Sequence, residues 1–367
     1  MRYITCLGVG LLLVLSMAGS HHSSHAQDEC PPGQWHVNGA CTASGDIEWE
    51  EGWNSVLPGG ETACAHGTPF RFWVRPGGED LLVYFQGGGG CWSAETCRRD
   101  SPVFYYDQTA GAAEVFSYDK GIFDQDNPAN PFRDYTTVFV PSCTGDVYTG
   151  TITRTYSDEV VIEHRGFLNL MSALDFTGET IATPESIFVT GCSAGSMGSI
   201  VAAPYLREMY PDVPLVQLGD SLGSLFSYRQ DIDTYYGGSG MIPSWLEDAP
   251  SAQSFSLADF YIAVANHYPA TQFAQFNYTF DHVQQRYFAT DQDDPANVVR
   301  QILHGSLTDI ENNTENFVSY TAFDDSHCIM PTNRFYQAEE NGQRFVDWVQ
   351  DLMEHEAPTI RCEECVP

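Results

Sequence analysis

A chain of 367 residues, 43% hydrophobic and 13% aromatic, is long enough to bury a sizeable core as one large α/β domain with insertions or as two small domains. Its formal net charge of -33 comes from 49 acidic against 16 basic residues, with Lys120 the single lysine. A field of that sign repels nucleic acid and anionic membrane surfaces, so neither is expected as a partner.

The first residues read as an export signal. Arg2 supplies a thin positive start, an apolar stretch runs from Ile4 to Ala18, and Ser24-His25-Ala26 offers small residues for cleavage after Ala26. The stretch is too short for a membrane span. Of the eleven cysteines, Cys6 falls within this signal. The remaining ten are an even count in an exported chain, which reads as disulfides. Only Cys362 and Cys365 have the spacing of metal ligands, and no second pair accompanies them. No metal and no cofactor are expected.

Residues 27–367 are read as one catalytic domain. Residues 27–68, rich in Gly, Cys and Trp, form an N-terminal extension with short strands pinned by disulfides. Leu81 to Phe85 is then a compact apolar run between Pro76-Gly77-Gly78 and Gly87 to Gly90, the pattern of a buried strand ending in a turn. Tyr135 to Val140, Ser186 to Thr190 and Pro214 to Leu218 repeat it. Helical spacing is predicted over Asp158 to Leu174, capped by Ser157, over Ser196 to Met209, and over Phe345 to Met353. Short apolar strands alternating with helices predict an α/β fold, a mostly parallel central sheet flanked by helices. The irregular polar-aromatic stretch at about 221–300 is read as a lid or insertion that returns to the sheet.

Gly191-Cys192-Ser193-Ala194-Gly195 fits G-x-S-x-G between a predicted strand and a predicted helix. That context defines a nucleophile elbow and an α/β-hydrolase-like fold, with Ser193 as nucleophile at a helix N-terminus. An oxyanion hole needs bare N–H groups. Ala194 supplies one, and the run Gln86-Gly87-Gly88-Gly89-Gly90-Cys91-Trp92 supplies others, with Gly88 and Gly89 favoured. The lack of a lysine after these glycines argues against a phosphate loop.

The base is expected near the C-terminus. Among His267, His282, His304, His327 and His355, His327 is favoured because it follows the strand-like run Phe317 to Phe323. Cys192 precedes the serine and Cys328 follows the histidine. If Ser193 and His327 meet, their neighbouring cysteines come within disulfide reach as a staple. The acid is Asp281, after Gln272 to Phe280, or Asp220, directly after a strand. Asp324 and Asp325 lie too close to His327 in the chain. The candidate triad is therefore Ser193, Asp281 and His327, with Asp220 open as the alternative acid.

These residues also resemble a family. Leu82 to Trp92 with Cys97 resembles the glycine-rich signature of pectin acetylesterases and the related Notum carboxylesterases. Gly191 to Gly195 resembles their nucleophile motif. Tyr278-Thr279-Phe280-Asp281 with Gln284 resembles the segment carrying their acid, and His327-Cys328 their His-Cys end. The chain departs from the family pattern at Gln86 and Ser196. The Cys-Ser and His-Cys pairs are also similar to those of the tannase and feruloyl esterase group. The resemblance implies metal-free serine hydrolysis of a carboxylic ester, and the favoured substrate is an O-acetylated polysaccharide, deacetylated through an acyl-serine intermediate by a secreted or periplasmic enzyme. Trp92, Tyr105, Tyr106, Tyr235 and Tyr236 are the candidate sugar-stacking aromatics. Feruloyl, lipid or polyester substrates and a non-catalytic binding module are the rival readings. Oligomeric state is not legible.

Overall fold

Short apolar runs bounded by turn residues become the strands of a single large sheet. The computed structural model describes residues 30–104, 111–115, 117–223, 228–246, 256–289 and 292–365. The signal read over residues 1–26 lies outside them. In chain order the strands are β1 (Gln34–Val37), β2 (Ala40–Ala43), β3 (Asn54–Leu57), β4 (Phe72–Arg75), β5 (Leu81–Phe85), β6 (Thr136–Val140), β7 (Ile152–Thr155), β8 (Val161–His164), β9 (Ile187–Cys192), β10 (Leu215–Asp220), β11 (Gln272–Tyr278) and β12 (Phe317–Ala322). The helices are α1 (Ala112–Val115), α2 (Gly166–Thr180), α3 (Ala194–Met209), α4 (Tyr228–Tyr236), α5 (Leu257–His267), α6 (His282–Phe288), α7 (Pro295–Asn313), α8 (Arg334–Gln337) and α9 (Phe345–Met353).

Ten strands share one sheet in the order β12-β11-β10-β9-β5-β6-β4-β3-β1-β2. The six from β12 to β6 run parallel, and the remainder are antiparallel. A parallel sheet is covered on both faces, so its strands must be apolar on both. Leu81, Val83 and Phe85 of β5 accordingly join the core beneath α2, α3 and α5. Leu82 and Tyr84, pointing the other way, join a second core with Phe139, Phe276 and the α9 residues Phe345 and Trp348. The period of two along one strand thus feeds two cores, and each fully buried Leu or Phe stabilises the fold by about 1.5–3 kcal/mol.

Two segments differ from the sequence reading. The helix predicted from Asp158 begins only at Gly166. Val161–His164 before it is a strand, paired antiparallel with Ile152–Thr155. Val160-Val161-Ile162 is a β-branched run, which favours the extended backbone, and Ser157 caps no helix. Within the segment read as an extension, β1 to β3 continue the central sheet as its antiparallel edge. A Cys30–Cys41 disulfide spans β1 and β2, and Cys64–Cys143 ties the segment to the loop after β6. Between 221 and 300, β11 takes an interior place between β10 and β12. Cys362 and Cys365 form a disulfide, which removes the thiolates a metal would need.

Candidate active site

Three loops at the C-terminal ends of parallel strands converge, as the chemistry of an open parallel sheet requires. β9 ends at Cys192, and Ser193 stands between it and α3 with φ 57° and ψ -121°. A side chain rarely takes that backbone, and such strain gathers at functional sites. The turn also demands close packing. A Cβ on Gly191 would stand 2.7 Å from the Phe85 carbonyl oxygen, and one on Gly195 would stand 2.6 Å from the Phe85 carbonyl carbon. Both positions are therefore restricted to glycine. Ser193 sits at the N-terminus of the sixteen-residue α3, where the helix dipole favours negative charge.

The loop after β5 lies alongside. A Cβ on Gly87 would come 2.8 Å from the Cys192 carbonyl oxygen and 3.2 Å from Ser193 Cβ, so bare backbone passes directly against the elbow. Gly90 gives its N–H to Val103 O at 3.0 Å, which ties down the far end of the glycine run. Gly88 is buried and Gly89 is left-handed, with φ 73°.

Asp281 follows β11 and caps α6. Its Oδ1 accepts from the Val283 and Gln284 N–H groups at 2.9 and 3.0 Å. Its Oδ2 accepts from Gln284 Nε2 at 3.1 Å and meets His327 Nδ1 at 2.7 Å. The carboxylate is fully buried and the imidazole is 16% exposed. A carboxylate only accepts, so the Nδ1 facing it carries the proton and Nε2 is left as the acceptor. Ser193, Ala194, Gly89 and His327 line one cleft of about 430 Å³ with Trp92 and Tyr236. Its other walls include Val147, Leu222 and Phe288. On its outer side His327 also lines a groove of about 940 Å³ carrying Lys120, Asn333, Arg334 and Gln337.

The other candidates lie apart from this pairing. The Asp220 carboxylate spends its hydrogen bonds on the backbone beyond His327 rather than on the ring. Its Oδ2 accepts from the Ile329 and Met330 N–H groups at 2.9 Å each, and burial pushes its carboxyl up to about 6, against the pull of those hydrogen bonds. Asp324 pairs with Arg334 at 2.5 Å. The Asp325 carbonyl accepts from His282 Nδ1 at 2.6 Å. His267 stacks on Trp245 with centroids 3.8 Å apart, His304 lines a separate pocket with Arg300 and Arg361, and His355 follows the end of α9. Tyr235 packs against the core, while Tyr105 and Tyr106 lie outside the described residues. The apolar walls were not singled out from sequence. Val283 and Phe288 had a signal, since they belong to the helix that Asp281 caps.

Cys192 and Cys328 are joined by a disulfide across 136 residues. Replacing both by serine is expected to destabilise the fold by about 4 kcal/mol, because the bond removes the closure entropy of a long loop from the unfolded chain. The urea midpoint of the double variant against the parent, at matched slope, checks this. An unchanged midpoint would show that the bond constrains nothing the native contacts do not already hold.

A mostly parallel sheet, a strained strand-to-helix serine after one strand, and an Asp–His pair after two later strands define an α/β-hydrolase fold. The pectinacetylesterase family model matches residues 59–233. Pectin acetylesterase 4 of Arabidopsis thaliana is 25% identical over 140 residues, 37% of this chain and 33% of its own. Palmitoleoyl-protein carboxylesterase notum1' of Xenopus laevis is 25% identical over 167 residues, 43% of this chain and 34% of its own. The alignments thus span about a third of the length of these relatives. The structure of the Wnt deacylase Notum from Drosophila matches with a TM-score of 0.60 at 16% identity, covering 85% of this chain and 98% of that one. Over residues 59–233, just under half of its length, the chain is thus similar to the pectinacetylesterase family, and its fold is similar to that of Notum.

Proposed function

We propose that the protein is an extracytoplasmic serine carboxylesterase that removes acetyl groups from O-acetylated polysaccharide through an acyl-serine intermediate. The observation that carries this is the 2.7 Å bond from Asp281 to His327 Nδ1, with His327 and Ser193 on one cleft. Asp281 orients the imidazole, and Nε2 takes the Ser193 proton as Oγ attacks the ester carbonyl. The N–H groups of Gly88, Gly89 and Ala194 hold the oxyanion. His327 then protonates the leaving alcohol, and water hydrolyses the acyl-serine by the same route. No step asks for a metal or cofactor.

A carbohydrate alcohol is supported by the groove beside His327, where amides, hydroxyls and the Lys120 ammonium offer hydrogen bonds. Of the aromatics proposed for sugar stacking, Trp92 and Tyr236 line the cleft. Export through residues 1–26 is supported by five disulfides. Among the described residues no helix is long and apolar enough to cross a membrane.

A second reading, hydrolysis of a longer acyl ester, is favoured by the apolar walls Val147, Leu222 and Phe288. The two separate in one experiment: hydrolysis rates over p-nitrophenyl esters from acetate to dodecanoate, beside acetate release from acetylated polysaccharides. Acetate release with a preference for short chains supports the first reading. A rise in kcat/KM with chain length transfers the assignment to the second. Folded protein that hydrolyses none of them and does not react with a fluorophosphonate is a binding module.

A further inference from the structure

Asp220 is fully buried, and the reaction above does not use it. Its surroundings are unusual in backbone as well as charge. Ser193, Ser221 and Cys328 all take left-handed φ values, 57°, 59° and 62°; Ser221 and Cys328 belong to the network on the Asp220 carboxylate, and Ser193 bonds its main chain. A left-handed residue turns the N–H groups that follow it toward a common point, forming a concave nest that suits an anion. In the loop after His327 that point is occupied by Asp220. Oδ2 receives the Ile329 and Met330 N–H groups. Oδ1 receives the Ser221 hydroxyl at 2.9 Å, and Ser221 Oγ in turn accepts the Cys328 N–H at 3.0 Å. Three successive amides are satisfied by one side chain and its neighbour. The main-chain carbonyl of Asp220 also accepts the N–H of Ser193 at 2.8 Å.

We propose that Asp220 is a positioning residue that locks the His327 loop to the Ser193 elbow, its carboxylate acting as the built-in anion of the 328–330 nest. The proposal rests on the reading of Ser193 and His327 as nucleophile and base. The Cys192–Cys328 disulfide runs beside this contact, because Cys192 and Asp220 are register partners on β9 and β10. A disulfide limits how far two loops separate but leaves them rotation about the bond. The nest removes that rotation, so the two tethers do different work. Asp220 also interacts electrostatically with His327, and its negative charge favours the imidazolium formed during the proposed reaction.

The test compares Asp220→Ala, Asp220→Asn and Ser221→Ala with the parent and with Ser193→Ala, reading kcat, KM, the pH profile and thermal unfolding. Misplacement of a base by a fraction of an ångström to an ångström is expected to lower kcat about 10²-fold in Asp220→Ala, with KM within about threefold. Asp220→Asn keeps one oxygen for the Ile329 and Met330 N–H groups and should stay within about tenfold of the parent kcat. It loses the charge, so the acid limb of its kcat/KM profile moves to lower pH. The other groups around His327 are Asp281, Lys120, His282 and Arg334, and Tyr278 faces Asp220. All are unchanged in this variant. Ser221→Ala should fall between the parent and Asp220→Ala.

Parent-like kcat in folded Asp220→Ala overturns the proposal. If that variant does not fold, an unmoved acid limb in Asp220→Asn overturns it instead. A parent protein with no Ser193-dependent hydrolysis would refute the reading of the site itself, and the positioning role with it. Activity in the parent with an indifferent Asp220 refutes the positioning role alone.

Discussion

Ser193→Ala is expected to lower kcat for ester hydrolysis by about 10⁶-fold while leaving the fold intact. Alanine differs from serine here by one oxygen and takes the same strained backbone, so the elbow keeps its shape. What disappears is the atom proposed to form the acyl bond. The proposed oxyanion donors, the N–H groups of Gly88, Gly89 and Ala194, persist, so a residual rate of about 10³–10⁴-fold over water is expected to remain. Single-turnover hydrolysis of p-nitrophenyl acetate, with circular dichroism as a check on folding, measures the loss. A folded variant retaining a hundredth of the parent rate would place the nucleophile elsewhere.

Asp281→Asn is expected to lower kcat about 10⁴-fold, and the reason is a count of donors. Oδ1 of Asp281 accepts two backbone N–H groups, and Oδ2 accepts from Gln284 and His327. Every neighbour of this carboxylate donates. An amide NH₂ must therefore face another donor whichever way it is turned. Turned toward His327, it drives the imidazole to the tautomer with its proton on Nε2, which can no longer accept from Ser193. Turned the other way, it disrupts the cap of α6. A stability loss of about 1–3 kcal/mol should accompany the kinetic one. The variant should keep a parent-like KM, and a fall in kcat of tenfold or less would mean that Asp281 does not orient the base.

The parts of this fold that are legible in the sequence are those in which one residue type serves one purpose. β5 reads directly from Leu81 to Phe85 because both faces of a parallel strand are buried and glycines end it. α9 reads directly because its apolar residues keep helical spacing. The segment around Val160 to His164 misleads because charged and apolar residues there satisfy a helical pattern by chance, while β-branching and the partner strand at Ile152–Thr155 decide the outcome. The edge strands β1 to β3 look like a separate extension because they pair with one another and with β4, close along the chain, and reach the parallel strands only through the pairing of β4 with β6. In the site, Ser193 stands out by local context alone. Asp281 and His327 stand out only through their order after particular strands, which left Asp220 open as the acid. The place Asp220 takes could not be read, since it depends on a left-handed Cys328 and on amides more than a hundred residues away.

The covalent ring closed by Cys192 and Cys328, 136 positions apart, has a consequence for proteolysis. Helices α3 to α7 and strands β10 to β12 lie within that ring. A peptide bond cut anywhere between Ser193 and His327 therefore opens the ring without releasing a fragment. The proposed nucleophile would stay on one piece and the proposed base on the other, still joined through sulfur. A single nick in this stretch would thus leave the two halves of the proposed dyad covalently tethered.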